Sequence, residues 1–359
     1  MLINKKTYRT IWYNKEKDNV QIIDQNKLPF ELEITSLSNL NDVLLAIKEM
    51  KVRGAPLIGA TAAYGVYLAF KEYNSQKTIN EAAKKIKNTR PTAVNLFWAV
   101  DRMMSKIDFN YPKNKIEESL LKEANNICEE DINKCKKIGE FGLEIIKNIK
   151  KSKNKINILT HCNAGWLATI DWGTATAPIY YARNNNIDVH VWVDETRPRN
   201  QGSSLTSYEL NNEGIENTII TDNSAGLLMQ KGEIDICIVG ADRVTSTGHV
   251  ANKIGTFLKA VIAKEFNIPF YVAIPTNTID WEIKQYEDII IEERDGKELR
   301  EIKGLDENNV LRLVDIYPKN SKVYNPAFDI TPNKFVEAFI TNKGIIQARA
   351  DEIIKIKND

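Results

Sequence analysis

Five short apolar runs rich in Ile and Val lie in the second half of the chain, separated by segments of helix length. The runs cover residues 156–160, 189–193, 218–220, 234–239 and 270–274. Strands that alternate with helices are typical of a parallel sheet, because a parallel connection requires a crossover that is usually helical. The pattern therefore predicts an α/β domain with a parallel sheet after residue 151.

The first half of the chain has a different texture. Residues 1 to about 35 alternate weakly and predict short strands, whereas residues 36–151 have a helical pattern. One helix is expected through Leu40 and Ile47, a second from Ala55-Pro56, and a third after Arg90-Pro91-Thr92. Residues 116–151 alternate in charge, and we interpret them as a solvated helix that connects two domains.

These patterns predict an α/β fold. A Rossmann-like parallel-sheet domain, residues 126–359, is expected to follow a smaller, mostly helical N-terminal domain with a few short strands, residues 1–125. A chain of 359 residues is long enough for two such domains.

The overall charge excludes several classes of function. The chain has 49 basic and 48 acidic residues, so no net field favours nucleic acid or an anionic membrane. No apolar run approaches the ~20 residues that span a bilayer, and no apolar signal core follows the first residues. With four cysteines, no C-x-x-C motif and three histidines, the sequence argues against a zinc site and fits reduced thiols. We expect a cytoplasmic protein without a zinc site built from its own side chains.

Polar segments directly follow all five predicted strands. They begin at His161, Asp194, Thr221, Gly240 and Pro275. Open α/β sheets bind ligands outside the carboxyl ends of their strands, so these segments are expected to form one binding site. Neither G-x-G-x-x-G after the first strand, nor G-x-x-x-x-G-K-[ST], nor G-x-S-x-G occurs. A dehydrogenase, a P-loop enzyme and a serine hydrolase are therefore disfavoured.

Two arginines are candidates for binding an anion. Arg53-Gly54-Ala55-Pro56 places a guanidinium and a flexible turn at a predicted helix N-terminus, where backbone N–H groups and the helix dipole favour a phosphate. Arg90 precedes the next helix in the same way. The alternative is that both arginines cap helices or form surface pairs.

A cysteine and an aspartate are candidates for the chemistry. Cys162 follows a strand and precedes a turn containing glycine, where helix N–H groups would stabilise a thiolate; the alternative is a small buried apolar residue. Asp242 follows a buried strand, where desolvation would raise its pKa and suit it to general acid or base catalysis. The alternative is a helix cap or a pair with Arg243.

Eight sequence blocks in order resemble one known family, the methylthioribose-1-phosphate isomerases. The blocks are Val52-Arg-Gly-Ala-Pro56, Arg90-Pro-Thr-Ala-Val-Asn-Leu96, Thr160-His-Cys-Asn-Ala-Gly165, Asp194-Glu-Thr-Arg-Pro198, Gly240-Ala-Asp-Arg243, Val250-Ala-Asn-Lys-Ile-Gly255, Ile291-Glu-Glu-Arg294 and Asn325-Pro-Ala-Phe-Asp-Ile-Thr-Pro332. This family is related to ribose-1,5-bisphosphate isomerases and to regulatory subunits of the exchange factor for translation initiation factor 2. The retained cysteine and aspartate resemble the isomerase branch.

The resemblance implies an aldose–ketose isomerisation without metal or cofactor in methionine salvage. By this resemblance Asp242 is the proton donor and Cys162 a base or a transition-state stabiliser, through either an enolate or a hydride shift. The implied substrate-binding residues are Arg53, Gly54, Ala55, Arg90 (on the phosphate), Gln201, Asn252 and Lys253. The implied partner is a small sugar phosphate, and the implied assembly is a homodimer.

Some alternatives stay open within this resemblance. Arg199-Asn200-Gln201 stands where bulkier apolar residues are common in the family. Trp166 and Trp172 add aromatic residues beside the cysteine, either as part of the core or as a lining for the 5-substituent. A 5-deoxyribose 1-phosphate isomerase, a ribose-1,5-bisphosphate isomerase and a non-catalytic regulatory subunit are the other readings. An apolar wall around C5 would favour methylthioribose, and a cationic cluster would favour the bisphosphate.

Overall fold

The computed structural model describes residues 1–73, 75–90 and 94–357. Their helices are α1 (Leu40–Lys48), α2 (Ala55–Glu72), α3 (Gln76–Lys87), α4 (Val94–Met104), α5 (Lys113–Lys150), α6 (Ala177–Asn184), α7 (Ser207–Asn212), α8 (Ser224–Gln230), α9 (Thr256–Glu265), α10 (Lys297–Arg300) and α11 (Ala350–Ile353). A π-helical turn, Gly202–Thr206, leads into α7. None of the described helices combines the length and the apolar composition that crossing a membrane requires.

The strands of the described residues form a large sheet and four smaller ones. They are β1 (Leu2–Ile3), β2 (Lys6–Thr7), β3 (Ile11–Asn14), β4 (Asn19–Ile23), β5 (Ile34–Leu37), β6 (Ile156–Thr160), β7 (Val189–Asp194), β8 (Asn217–Ile220), β9 (Ile236–Val239), β10 (Arg243–Thr245), β11 (Val250–Lys253), β12 (Phe270–Ile274), β13 (Ile279–Asp280), β14 (Glu301–Leu305), β15 (Leu311–Asp315), β16 (Phe328–Thr331), β17 (Ala338–Thr341) and β18 (Gly344–Ile346).

The large sheet confirms the predicted α/β class. Its strand order is β18-β17-β12-β9-β6-β7-β8, and all neighbours from β17 to β8 are parallel, whereas β18 is antiparallel. The five predicted runs are β6, β7, β8, β9 and β12. Strands β17 and β18 were not predicted.

The order of these strands creates a switch point. From β6 the chain adds β7 and then β8 on one side, and it returns to add β9 on the other side of β6. At such a reversal the loops leaving the two central strands diverge and open a crevice at their carboxyl ends. Cys162 lies two residues after β6 and Asp242 three residues after β9, so both candidates flank this crevice.

The helical region also follows the prediction. Helix α1 buries Leu40, Val43 and Ile47, and α2 begins at Ala55 with a proline in its first turn. Helix α4 begins at Val94; the Pro91-Thr92 part of the predicted helix start lies outside the described residues. Apolar residues of α1 to α5 form one hydrophobic core, on which the three-stranded sheet β3-β4-β5 packs.

Helix α5 differs from the solvated connecting helix that its charge pattern suggested. Its N-terminal half buries Ile116, Leu120 and Ile132 in the core of the helical region, and its C-terminal half buries Ile138 and Ile146 beneath the large sheet. The helix is therefore amphipathic: most of its charges occupy the face turned away from both cores, whereas Glu123 and Asp131 are buried. The domain boundary predicted after residue 125 falls within α5 and stays a prediction.

A second sheet, which sequence patterns did not predict, lies beside the crevice. Its order is β13-β10-β11-β16, and β11 pairs antiparallel with both β10 and β16. This pairing fixes Asn252 and Lys253 at the end of β11, opposite Asp329 and Phe328. The predicted binding pair is thus held by a sheet rather than by a loop.

Candidate active site

A cavity of about 110 Å³ opens at the switch point and collects the predicted site residues. All nine of them line it: Arg53, Gly54, Ala55, Arg90, Cys162, Gln201, Asp242, Asn252 and Lys253. They come from the helical region, the large sheet and the small sheet, so only the folded chain brings them together. The structure gives their positions, and their roles stay predictions.

Cys162 is held in an uncommon backbone conformation. Its φ is 66°, in the left-handed region that residues with a Cβ seldom adopt. Its backbone N–H donates to Thr196 Oγ1 at 2.8 Å, and its carbonyl oxygen accepts from Thr206 Oγ1 at 2.8 Å. The thiol lies 3.7 Å from Gln201 Oε1, which accepts its weak hydrogen bond. These contacts stabilise a conformation that turns the thiol toward the cavity.

The two candidate reacting groups share one electrostatic environment. Burial raises the pKa of the Cys162 thiol, and the positive charges of Arg53 and Lys253 oppose that rise. Burial likewise raises the pKa of the Asp242 carboxyl, against the lowering influence of Lys253, Arg53 and Arg90. The negative charge of an ionised Asp242 further raises the pKa of the Cys162 thiol.

Lys253 and Asn252 form the wall opposite the thiol. Burial lowers the pKa of the Lys253 ammonium, which Cys162 and Asp242 partly restore. That ammonium lies 5.0 Å from the centre of the Phe328 ring, a cation–π contact. Asn252 Nδ2 donates to Thr256 Oγ1 at 3.0 Å, which fixes its side chain in the cavity wall.

The start of α2 forms another wall. Gly54 has a φ of 88°, and a Cβ added to it would lie 2.3 Å from the backbone oxygen of Ala168, so only glycine fits there. No side chain of the described residues caps this helix start. The N-terminal end of an 18-residue helix therefore faces the cavity with its positive dipole end.

Arg90 approaches the cavity from the helical region with a carboxylate partner. Its Nη2 lies 3.8 Å from Glu292 Oε2. Burial lowers the pKa of this guanidinium, while the charge of Glu292 raises it. The guanidinium stays charged in any case, because the reference value for arginine is far above neutrality.

Two further residues that sequence reasoning did not single out, Asn163 and Glu209, organise the thiol loop. The Asn163 side chain accepts from Arg53 and donates to Glu209 Oε1 at 2.8 Å. Glu209 also accepts from the backbone N–H groups of Trp166 and Leu167 and from the Tyr180 hydroxyl. Burial raises the pKa of Glu209 to about 7. A single glutamate in a short helix gives no sequence signal of this role.

A second cavity, of about 280 Å³, adjoins the first and shares Met50, Arg53 and Gln201 with it. It lies between residues 25–30, the segment after β7 and the β14–β15 hairpin. Its lining combines apolar with charged side chains: Leu28, Phe30, Leu205, Ile302 and Leu313 with Arg199, Lys297, Glu298 and Lys303. Trp166 and Trp172, by contrast, pack into the core beneath the sheet.

Among the described residues, one group of side chains has ligand atoms close enough for a metal ion. His161, Asp194 and Asp222 place one ligand atom each within 4.8 Å of the others. However, the two oxygens of Asp222 accept from the backbone N–H groups of Thr196 and Arg197, at 2.7 and 2.8 Å, and Asp194 pairs with His161. Protein donors thus account for the geometry, and these residues do not fit a metal site.

Most of the chain matches one known protein family. Residues 51–348 match the profile of the initiation factor 2 subunit family. The solved structure of translation initiation factor eIF-2B, subunit delta, from A. fulgidus has a TM-score of 0.81 and 40% identity, covering 98% of this chain and all 100% of that one.

Within this family, the chain is similar to enzymes that share one name. The methylthioribose-1-phosphate isomerase of Sulfurimonas denitrificans is 52% identical over 352 residues, which cover 96% of this chain and 97% of the relative. The structure of 5-methylthioribose 1-phosphate isomerase from Pyrococcus horikoshii OT3 has a TM-score of 0.85 and 37% identity, covering 98% and 96%. The chain belongs to the methylthioribose-1-phosphate isomerases of the initiation factor 2 subunit family.

Proposed function

We propose that the protein converts 5-methylthio-α-D-ribose 1-phosphate to 5-methylthio-D-ribulose 1-phosphate in methionine salvage. The observation that carries the proposal is one cavity in which a buried thiol and a carboxyl, placed by two neighbouring strands, meet four positive or helix-dipole groups. The relatives named for this activity match almost the whole chain.

The substrate explains why an acid is needed. Its C1 is a phosphorylated acetal, so no free aldehyde acidifies the proton on C2, and the ring oxygen has to gain a proton as the ring opens. Asp242 is the proposed proton donor. Because desolvation by the surrounding protein raises its pKa, the carboxyl keeps its proton to a higher pH than an aspartate fully surrounded by water would.

Cys162 is the proposed partner in the second part of the reaction. It acts either as the base that removes the C2 proton, giving an enolate, or as a group that stabilises the transition state of a hydride shift. In both routes the flanking charges of Arg53 and Lys253 favour developing negative charge beside the sulfur. Gln201, whose oxygen faces the thiol, is placed to contact the sugar.

The phosphate is proposed to bind at the start of α2. Arg53 and Arg90 supply guanidinium groups, which suit phosphate oxygens, and Gly54 and Ala55 supply the helix end. Lys253 and its neighbour Asn252 would close the opposite side. Glu292, now 3.8 Å from Arg90, would be displaced or would share that guanidinium with the phosphate.

The 5-substituent is proposed to extend toward the second cavity. Arg199 there is paired with Glu298 at 3.1 Å, and Lys297 and Lys303 also line this cavity. Leu28, Phe30 and Leu205 provide apolar surface for a methylthio group. The apolar surface supports methylthioribose 1-phosphate as the substrate, and the two lysines make the 1,5-bisphosphate the competitor that the turnover assay has to exclude.

The assembly and location are also proposals. We propose a homodimer, supported by the apolar side chains that β15 exposes at Leu311, Leu313 and Val314. We propose a cytoplasmic location, supported by four cysteines that are all unpaired and buried. Sedimentation equilibrium of the purified chain tests the first, since a monomer at micromolar concentration would contradict it.

A turnover assay tests the activity. Purified protein is incubated separately with methylthioribose 1-phosphate, 5-deoxyribose 1-phosphate and ribose 1,5-bisphosphate, and ketose formation is followed by NMR. The highest kcat/KM is expected with methylthioribose 1-phosphate. A preference for the bisphosphate would mean that the second cavity binds a phosphate rather than a methylthio group. No turnover of any of the three substrates would contradict the proposed activity.

A further inference from the structure

The two cavities of the site adjoin at three side chains, Met50, Arg53 and Gln201, which line both of them. Two of the three have partners in the thiol loop. Arg53 donates to Asn163, and the Gln201 side-chain oxygen accepts from the Cys162 thiol. Met50 is the apolar member of the three. A substituent that extends from the sugar into the second cavity therefore has to pass the Met50 side chain.

Met50 is buried, but the hydrophobic cores do not account for its burial. Its exposure is 7%, yet it belongs to none of the three hydrophobic cores that the described residues form. Buried apolar side chains usually pack into such a core, where they contact many other apolar residues. Met50 instead contributes to the walls of two adjoining cavities. Its side chain therefore belongs to the site rather than to the core.

The backbone of Met50 occupies a position at which glycine is the usual residue. Helix α1 ends at Lys48, Glu49 is its C-cap, and Met50 follows with a φ of 57°. Many helices end on a left-handed residue at this position, and glycine is favoured because it has no Cβ. A methionine in this conformation has a cost that a glycine would avoid. Strained residues of this kind concentrate at binding sites, which indicates that the side chain has a function there.

An arginine that lines neither cavity holds the Met50 thioether in place. Arg294 Nη2 lies 3.5 Å from Met50 Sδ and donates to it, since a thioether sulfur is a weak acceptor. The same guanidinium donates to Glu298 Oε1 at 2.7 Å and to Glu292 Oε1 at 2.8 Å, so its own position is fixed. Arg294 ends the Ile291-Glu-Glu-Arg294 block, for which the proposed reaction has no other role. The block thus anchors the sulfur at the junction of the cavities.

We propose that Met50 is a specificity-determining residue, whose side chain contacts the methylthio group of the substrate where that group enters the second cavity. This inference rests on the proposed isomerase activity and on the proposed direction of the 5-substituent. An unbranched, polarisable methionine adapts to the shape of an apolar ligand. The contact is lost with 5-deoxyribose 1-phosphate, which lacks the S–CH3 group. Met50 therefore makes kcat/KM depend on the 5-substituent and takes no part in proton transfer.

A pair of substrates measures this role. The kcat/KM values for methylthioribose 1-phosphate and 5-deoxyribose 1-phosphate are determined for the wild type and for Met50→Ala, and their ratio is compared. A small apolar group in a pocket changes kcat/KM about tenfold to 200-fold, and Met50 supplies part of that contact. Met50→Ala should therefore lower the ratio about threefold to tenfold. Met50→Leu, which keeps the apolar volume, should retain the wild-type ratio within about twofold.

Met104→Ala is the matched control, because Met104 is a partly buried methionine of α4 that lines neither cavity. Its ratio should equal that of the wild type, and circular dichroism checks the folding of every variant. Should Met50→Ala not fold, Met50→Gln, which is similar in length but polar, replaces it with the same expected fall.

The comparison separates a specific contact from a structural effect. A merely structural disturbance would lower kcat/KM for both substrates by the same factor and leave their ratio unchanged. An unchanged ratio in the folded Met50 variant would contradict the proposal while the isomerase activity stands. If the wild type turned over neither substrate, the proposed activity would be wrong, and this inference with it.

Discussion

Arg53 donates from Nη2 to the backbone carbonyl oxygen of Asn163 at 2.8 Å, and from Nη1 to the side-chain oxygen of the same residue. The arginine belongs to the helical region, and the asparagine follows the thiol on the large sheet. This contact therefore joins the two halves of the molecule at the cavity, and it orients the guanidinium before any phosphate arrives.

The first prediction concerns that contact. Asn163→Ala removes an acceptor from Arg53 and a donor from Glu209. Charge-assisted hydrogen bonds contribute about 1.5–3 kcal/mol, so KM for methylthioribose 1-phosphate should rise about tenfold and the free energy of unfolding should fall. Steady-state kinetics and urea unfolding measure both. Asn185→Ala, at an exposed position, is the control; equal effects in the two variants would contradict the role of the contact.

The second prediction concerns stability and pH. The pKa of Glu209 is raised to about 7 by burial, from an ordinary 4.5. Between these values the folded state binds more protons than the unfolded state, so the stability that the protonated group contributes is present at low pH and lost as pH rises. In Glu209→Gln the free energy of unfolding should decrease less between about pH 4.5 and 7 than it does in the wild type. Urea unfolding at several pH values measures this difference.

Asp131 provides a check on this argument. It is a second buried carboxyl, on α5, whose pKa burial also raises to about 7. Asp131→Asn should flatten the same slope without changing kcat, because Asp131 lies outside the two cavities. A slope that is unchanged in both variants would show that neither carboxyl titrates in this window.

The sequence predicted the parallel sheet and the site residues for a physical reason. Strands buried on both faces are continuous apolar runs, and their carboxyl ends carry the polar loops, so both features are local in the sequence. The role of Cys162, Asp242 and the binding residues came from the resemblance. The small sheet that carries Asn252 and Lys253 was not predicted, because its short strands pair across large sequence separations, such as Ala251 with Ile330.

The partners of the site residues were less accessible to sequence analysis. Glu209 and Asp194 are carboxylates at 0% exposure, which a sequence shows only as ordinary polar residues. Their burial becomes understandable once their donors are known, since buried charges require paired or hydrogen-bonded partners. The burial of one face of α5 was also not predicted. The many charged residues of this segment made its regularly spaced apolar residues, which pack into both cores, hard to recognise.

A third prediction follows from the charges around Asp242. Its pKa is raised mainly by burial, and the nearby Lys253 ammonium lowers it. If protonated Asp242 is the proton donor, kcat/KM should fall as pH rises through its pKa. Lys253→Met removes the lowering charge, so the alkaline limb should move to higher pH even though overall activity drops. A pH profile of kcat/KM for both proteins measures this, and a limb moving to lower pH would contradict the assignment.

The fourth prediction concerns metals. The reaction is proposed to proceed without a metal ion, and both oxygens of Asp222, in the His161–Asp194–Asp222 group, accept from backbone N–H groups. Treatment with EDTA followed by desalting should leave kcat unchanged, as measured in the turnover assay. Loss of activity that Mg²⁺ or Zn²⁺ restores would require a different mechanism.

The central claim is that Cys162 and Asp242 act on one substrate across one cavity. The measurement that tests it most directly compares kcat and substrate affinity in Cys162→Ser and Asp242→Asn, with folding checked by circular dichroism. Each variant should lose about a hundredfold to ten-thousandfold in kcat while binding methylthioribose 1-phosphate almost as tightly as the wild type. Wild-type kcat in either folded variant would contradict the account.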